Sequence, residues 1–463
     1  MKKIALKSLI YTAVIGMCMA TSCNDDGKTE LKSVDVTNAE LKAVLLQKGF
    51  VFNAEGLLLV DEKVTAVTTL DLSGCDLSDA SGLDVFPNLT EVNLANNKFG
   101  FVFDFSVLPA SITGVDLTGN EIYEYPGLVS VEVQENGDET VTTLHKLTKL
   151  YLPESARHNC DEIVYFYTEN KTADVKIQNA QGTLAAYNTL REVPDERLRT
   201  YFQENFPSLF DKDNRDMINI ANRIFRADEA SRGIAFDQIP NATTTVENVE
   251  GVQYIVMHPS WKGTAIGITS KTLCELPYLK VKPNVSGLGL VRVTIGYFNL
   301  AEAKSITTLN LDEVPIIEHI DLSASTLFGQ RGVVVESNIG GSTILVNNCP
   351  ELKTIVLPQK AKCGFFIRYT NLPLLEEINL SHFSWIGTLG LGNLPGLKKL
   401  DYFIPDDGSY SSTSGSLYFV ISAEIYAFPE TKAFLDAYHE YCKQFSFGVT
   451  PRITAYRWTQ HYQ

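Results

Sequence analysis

The sequence predicts an α/β repeat protein: a β-rich solenoid in two segments, each preceded by a helical cap. Three observations carry that expectation. An eleven-residue phrase occurs three times, at spacings of 22 and 23 residues. A shorter form of it continues through the second half of the chain, and two similar amphipathic stretches stand 157 residues apart, one ahead of each run.

The phrase reads VTTLDLSGCDL from Val67, LTEVNLANNKF from Leu89 and ITGVDLTGNEI from Ile112. All three fit L-x-x-L-x-L-x-x-N/C-x-L, the leucine-rich-repeat signature, at a period within its usual range. Strand side chains alternate, so the fourth and sixth positions (Val92 and Leu94 in the second copy) enter one core. The Asn or Cys at position nine stands where the chain turns off the strand, and its side chain can satisfy backbone groups of neighbouring turns. One such unit cannot bury its own apolar face, so units must stack. The shorter form appears as LTKLYL from Leu147, ITTLNL from Ile306, IEHIDL from Ile317, LKTIVL from Leu352, LEEINL from Leu375 and LKKLDY from Leu397. Irregular spacing between the two groups divides the array into two segments.

Residues 36–49, VTNAELKAVLLQKG, resemble residues 193–206, VPDERLRTYFQENF. In the first, Thr37 and Glu40 form a capping box, Leu41, Val44 and Leu45 an apolar stripe, and Gly49 a stop. In the second, Pro194 suits a first helical turn and Pro207 ends it. Met217, Ile220, Ala221, Ile224 and Phe225 mark a further helix by their three-four spacing. Short apolar runs within 226–300, such as YIVMH and VRVTI, read as strands. The domain boundary falls near residue 190. The division is then 1–22 signal peptide, 23–33 tether, 34–190 first cap and repeats, 191–405 second cap and divergent repeats, 406–463 aromatic-rich C-terminal cap.

The N-terminus is a targeting segment. Lys2, Lys3 and Lys7 precede an apolar run from Leu9 to Ala20, short for a membrane span. Ala20-Thr21-Ser22-Cys23 resembles the lipobox of bacterial lipoproteins, with Ala in place of the usual Leu at the third position before Cys. That resemblance implies acylation of Cys23, and each buried methylene of an acyl chain contributes about 0.8 kcal/mol to anchoring. Asn24-Asp25-Asp26 resembles the surface-export signal of lipoproteins in anaerobic gut Gram-negative bacteria. Without residues 1–22, 36 basic residues face 55 acidic ones, a net charge of −19. Such a chain is a poor partner for nucleic acid or anionic lipid. Taken whole, it resembles the two-part leucine-rich-repeat cell-surface lipoproteins of those bacteria, domains of unknown function. The resemblance is most specific in FPNLTEVNLANN and the signal, and implies location and fold without a reaction.

Catalytic and metal motifs are not found. The seven histidines never fall three to five apart, and there is no G-x-S-x-G elbow or P-loop. GLGNLPG at 390–396 belongs to a turn. DKDNRDMI from Asp211 has acids at the first and third places of a calcium loop, but Arg215, Asp216 and Asn222 stand against it. The cysteines of the mature chain form no C-x-x-C pair, and Cys75 and Cys349 read as buried free thiols. Glycosidase carboxylate pairs meet only in space and leave no sequence mark.

Two features are candidates for binding. The first is the outward fifth position of the repeats: Asp71, Asn93, Asp116, Tyr151, Asn310, Asp321, Val356, Asn379 and Asp401, with Glu376 and Glu377 beside Asn379. The bland alternative is that Asx merely solubilises the sheet there. The second is the tail, where Leu417–Gln463 hold 12 aromatics, among them Tyr456, Trp458 and Tyr462; capping the last turn with aromatic core is the alternative to a stacking platform. The expectation is a surface-anchored, non-enzymatic binding or adhesion protein for an extracellular protein or glycan, without cofactor or metal. The alternatives are a glycan- or peptide-processing enzyme with its site in 226–300 or the tail, and a structural subunit of an outer-membrane uptake complex.

Overall fold

The computed structural model describes residues 31–133, 139–222, 225–237, 246–330, 342–404 and 418–443. Cys23, Ile224, the segment from Asp406 to Ser416, and Tyr456, Trp458 and Tyr462 lie outside the described residues. Among those described, the chain is a mixed α/β protein with one six-stranded sheet, one eight-stranded sheet and five two-stranded sheets. This overturns the expected two-segment leucine-rich-repeat solenoid. The phrase reports a local unit, two inward side chains and a turn, and does not specify which sheet that unit joins.

The three full copies and the LTKLYL phrase do pair side by side. They supply β1 (Thr69–Asp71), β2 (Glu91–Asn93), β3 (Gly114–Asp116) and β4 (Lys149–Leu152), extended by β5 (Asp174–Gln178) and β6 (Leu184–Ala186). The first five are parallel and β6 is antiparallel to β5. Leu70, Val92, Val115, Leu150 and Val175 stand in one register and are buried. The amide at position nine then has a visible purpose. Asn97 Oδ1 accepts from the N–H groups of Cys75 (3.1 Å) and Leu77 (3.0 Å), while its Nδ2 donates to the carbonyls of Leu72, Leu94 and Ala95. Asn120 repeats the pattern one turn on, accepting from the Asn97 N–H at 2.9 Å. Turn backbone that would lack partners is thereby satisfied.

The second half is built differently. Strands β7 (Ile234–Asp237), β8 (Ala265–Lys280), β9 (Gly287–Asn299), β10 (Thr308–Asp312), β11 (Ser342–Asn347), β12 (Cys363–Thr370), β13 (Trp385–Gly392) and β14 (Tyr418–Ile421) form one parallel sheet. Ile266, Leu288, Leu309, Ile344, Ile367 and Leu389 run in register across it as a continuous buried row. ITTLNL lies in β10. The other short phrases lie on separate parallel pairs, His319–Asp321 with Thr354–Val356 and Glu377–Asn379 with Lys399–Asp401. Asn348, Asn371 and Asn393 hold φ of 53°, 55° and 50°, a region asparagine tolerates. Their side chains join in a ladder, Asn393 to Asn371 at 2.8 Å and Asn371 to Asn348 at 2.6 Å, ending on Asp312. GLGNLPG covers the end of β13 and one of these turns.

Both cap stretches are helices, Ala39–Gln47 and Glu196–Asn205. The first is capped by Asn38, not by a Thr37–Glu40 box: Asn38 Oδ1 accepts from the Leu41 N–H, and Glu40 instead accepts from the N–H and hydroxyl of Ser78. Asp195 caps the second. The helix expected over 217–225 is not formed among the described residues. Met217–Asn219 is a strand antiparallel to Leu190–Glu192, and Ile218 and Ile220 bury at the two-residue period of a strand. YIVMH, expected as a strand, falls mainly in a buried helix, Val252–Val256, whereas VRVTI lies in β9. At the C-terminal side, helix Pro429–Lys443 buries Phe434, Leu435 and Tyr438, with Phe434 stacked on Tyr402 at 4.4 Å. Cys75, Cys274 and Cys349 are free thiols. Cys75 is only half-buried, whereas burial pushes the Cys349 thiol up to about 12.

Candidate functional site

The fifth-position residues divide among four sheets. Asp71, Asn93, Asp116 and Tyr151 form one in-register row on the six-stranded sheet. Asn310 lies on the eight-stranded sheet, Asp321 and Val356 pair on one small sheet, and Asn379 and Asp401 pair on another. The single strand face expected from the sequence is therefore divided among four sheets. Much of the Asx preference has a local cause. Oδ1 of Asp71, Asn93, Asp116, Asp321 and Asn379 each accepts from the backbone N–H two residues on, closing the turn that ends the strand.

Charges on these surfaces are largely paired within the chain. Tyr151 lies between Lys149 and Lys176, whose Nζ atoms stand 5.0 and 4.8 Å from its ring centre, and its hydroxyl donates to Asp174 at 2.8 Å. The Lys176 ammonium bonded to Asp174 holds that carboxyl below its usual range. Lys149 reaches Glu91 at 3.0 Å across Gly114, where a Cβ would sit 2.7 Å from Glu91 Cγ. Glu376 pairs with Lys398 (2.6 Å), and Glu377 and Asp401 share Lys399 (2.5 and 3.1 Å).

Sequence reasoning missed the junction between two apolar cores. One core draws on residues 36–187; the other draws on 193–438 together with Tyr123, Cys160 and Val164. A column of rings runs through their contact. Tyr254 stacks on His158 at 6.4 Å, His158 on Tyr123 at 6.0 Å, Tyr123 on Tyr278 at 5.3 Å and Tyr278 on Tyr297 at 5.6 Å. Phe101 closes the column 4.8 Å from Tyr297. Polar groups lock its flanks. Arg157 bonds Glu250 at 2.8 Å and Glu154 at 3.0 Å, and the Tyr254 hydroxyl donates to Glu250 at 2.6 Å. Burial, then the Arg157 and Arg191 charges, push the His158 imidazole down to about 3; its Nδ1 bonds the Gln253 amide at 3.1 Å. Burial raises the Glu250 carboxyl, and Arg157 only partly offsets it. Glu124 accepts from Asn299 at 2.6 Å and pairs with Lys280 at 3.7 Å. No sequence signal announces this cluster, because Arg157 and Glu250 lie 93 residues apart.

Two clefts flank the junction. The first, about 260 Å³, is lined by Glu154, Arg157, Gln178, Arg191 and Glu250 among others. Both Glu250 oxygens are taken by Arg157 and Tyr254, and its side chain is 4% exposed. This carboxylate is a clamp and is not open to a substrate. The second cleft, about 370 Å³, is lined on one side by the end of β9, where half-buried Phe298 and buried Leu300 follow Tyr297. His319, Asp321 and Ser323 line it from the other side, and all three are exposed. Asp321 is the one fifth-position residue in this cleft. Farther off, Asp211 spends Oδ1 on the N–H groups of Asp213 and Asn214, closing its own turn. Among the described residues, no group of three or more His, Cys, Asp or Glu side chains is placed to hold a metal ion, and no helix is long and apolar enough to cross a membrane.

No protein-family model matches the chain, and no curated protein matches it.

Proposed function

We propose that this is a non-enzymatic binding protein held at the outer-membrane surface by lipid on Cys23, recognising an extracellular protein or glycan. The observation that carries the binding reading is the contrast between the two clefts. The buried titratable groups beside the first are bonded to one another, whereas the second presents exposed polar groups over an apolar floor, the usual composition of a ligand site. A hydrolase of glycans would need a pair of carboxyl groups open to substrate and water. Glu250 is closed to both.

Binding screens of the full chain against protein and glycan arrays, run beside hydrolysis assays on the same compounds, test the proposal. Capture without turnover supports it; turnover of any substrate without stable capture sinks it. Cell fractionation tests the anchor separately. Cys23→Ser should release the protein from the membrane fraction or stop its processing, and a variant that still partitions with outer membrane refutes lipidation at that residue.

A further inference from the structure

We infer that the cleft between Phe298 and Asp321 takes a neutral saccharide; the inference rests on the binding reading above and names its ligand class. The floor supplies half-buried aromatic surface on Phe298, while Tyr297, on the opposite face of the strand, keeps its ring in the column with Tyr278 and Phe101; Leu300 and the small residues Ala301 and Ala324 complete the lining. The opposite wall supplies hydrogen-bonding groups in a line. His319 and Asp321 alternate on one strand and point to the same side, with Ser323 following at the turn. Asp321 Oδ1 is occupied by the Ser323 N–H at 2.8 Å, which fixes the carboxylate of an exposed residue. His319 is oriented in the same way, its Nδ1 held by the Thr354 hydroxyl at 2.8 Å. A ligand matching this wall and floor has one apolar face and hydroxyls along an edge, as a sugar ring has.

Charge decides which sugars. Glu318, 3.8 Å from His319 Nε2, is neutralised by Lys353 at 2.6 Å, so Asp321 leaves the wall net acidic. The whole chain carries a net charge of −16. Uronic or sulfated glycans and anionic lipids would meet repulsion on approach and an unpaired carboxylate on arrival. A neutral ring meets neither.

The test is binding of the full chain to immobilised maltohexaose, cellohexaose, mannohexaose and chitohexaose, with polygalacturonate and a peptide array alongside. Three variants decide the site. Asp321→Asn keeps the acceptor that closes the turn but loses the charge, Ala324→Trp fills the cleft, and His319→Ala removes a wall donor without touching the floor. The expected result is binding of at least one neutral hexasaccharide and none of polygalacturonate. Each variant should weaken binding tenfold or more, with thermal unfolding unchanged for His319→Ala and Asp321→Asn. Absence of neutral-glycan binding, or binding that survives His319→Ala and Ala324→Trp alike, overturns the inference. If peptides are captured instead, the binding function stands and the saccharide falls; if a hexasaccharide is cleaved, the non-enzymatic reading falls with it.

Discussion

Replacing Asn97 by alanine tests why the phrase reserves its ninth place for an amide. The side chain makes five hydrogen bonds to backbone of two successive turns. Two of its carbonyl partners keep another donor: Leu94 O has Asn120 Nδ2 at 3.0 Å, and Ala95 O has the Gly74 N–H at 2.9 Å. The N–H groups of Cys75 and Leu77 and the Leu72 carbonyl lose the partner that Asn97 supplied. An unsatisfied buried group costs about 1–3 kcal/mol, and the half-buried position of Asn97 places each near the low end, so the three together cost about 3 kcal/mol. In a domain of about 150–250 residues each kcal/mol lowers Tm by about 2–4 °C, giving a drop of about 6–12 °C. Thermal unfolding followed by circular dichroism measures the drop and urea unfolding the free energy, with any separate transitions of the two cores fitted separately. Asn97→Asp keeps the acceptor but loses both amide donors and turns a charge toward three carbonyls; at neutral pH it should destabilise at least as much. As a control, Asn88→Ala loses one exposed bond to the Thr65 carbonyl and should stay within about 0.5 kcal/mol. If Asn97→Ala also stays within that margin, the amide is not what joins the turns and the reasoning is wrong.

Gly114→Ala places a methyl against Glu91 and should abolish the coupling between Glu91 and Lys149, worth about 0.2–1 kcal/mol for an exposed pair in a double-mutant cycle; an unchanged coupling would show that Glu91 does not cross over the glycine. Because His158 is held neutral with its pKa lowered to about 3, its contribution to stability is complete above about pH 6.5 and is lost as pH falls toward 3. His158→Gln should flatten that acid limb by an amount on the order of 4 kcal/mol. The raised Glu250 acts in the opposite sense in both proteins, so the difference between their pH–stability curves reports the histidine, and two parallel curves would refute the assignment. Arg157→Ala leaves the buried Glu250 carboxylate with the Tyr254 hydroxyl as its close hydrogen-bond partner and the neutral His158 at 3.8 Å, and should cost about 2–4 kcal/mol. Glu250→Gln in that background should recover part of it, and a double variant less stable than the single would contradict the clamp.

What could be read in advance was local. The two helices, the turn asparagines and the inward leucines each follow from residues within about ten positions of one another, and each lies where short-range chemistry places it. The expected helix over 217–225 failed because Ile218 and Ile220, two apart, answered to the neighbouring strand at Leu190–Glu192, a partner no local spacing reveals. Architecture failed for a related reason. The short phrases mark turns with inward leucines, yet most of the eight-stranded sheet is made of strands such as CGFFIRYT that carry no phrase.

The candidate site exposes the same division between near and far. In the sequence Asp321 is marked by its place in a repeat, but that place is explained by the Ser323 N–H it holds, as the corresponding bonds explain Asp71, Asn93, Asp116 and Asn379. What separates Asp321 from the other four is the surface opposite it. The end of β9 brings Tyr297 and Phe298 within reach of one cleft, and Ala301 and Ala324 keep that cleft open. The turn duty fixes a carboxylate rigidly, and rigidity is what a binding group needs. A residue recruited to close a turn thus becomes a ligand group only where a neighbouring strand supplies the floor, so a site built this way depends on the pairing of strands far apart in sequence and not on the motif that first drew attention to it.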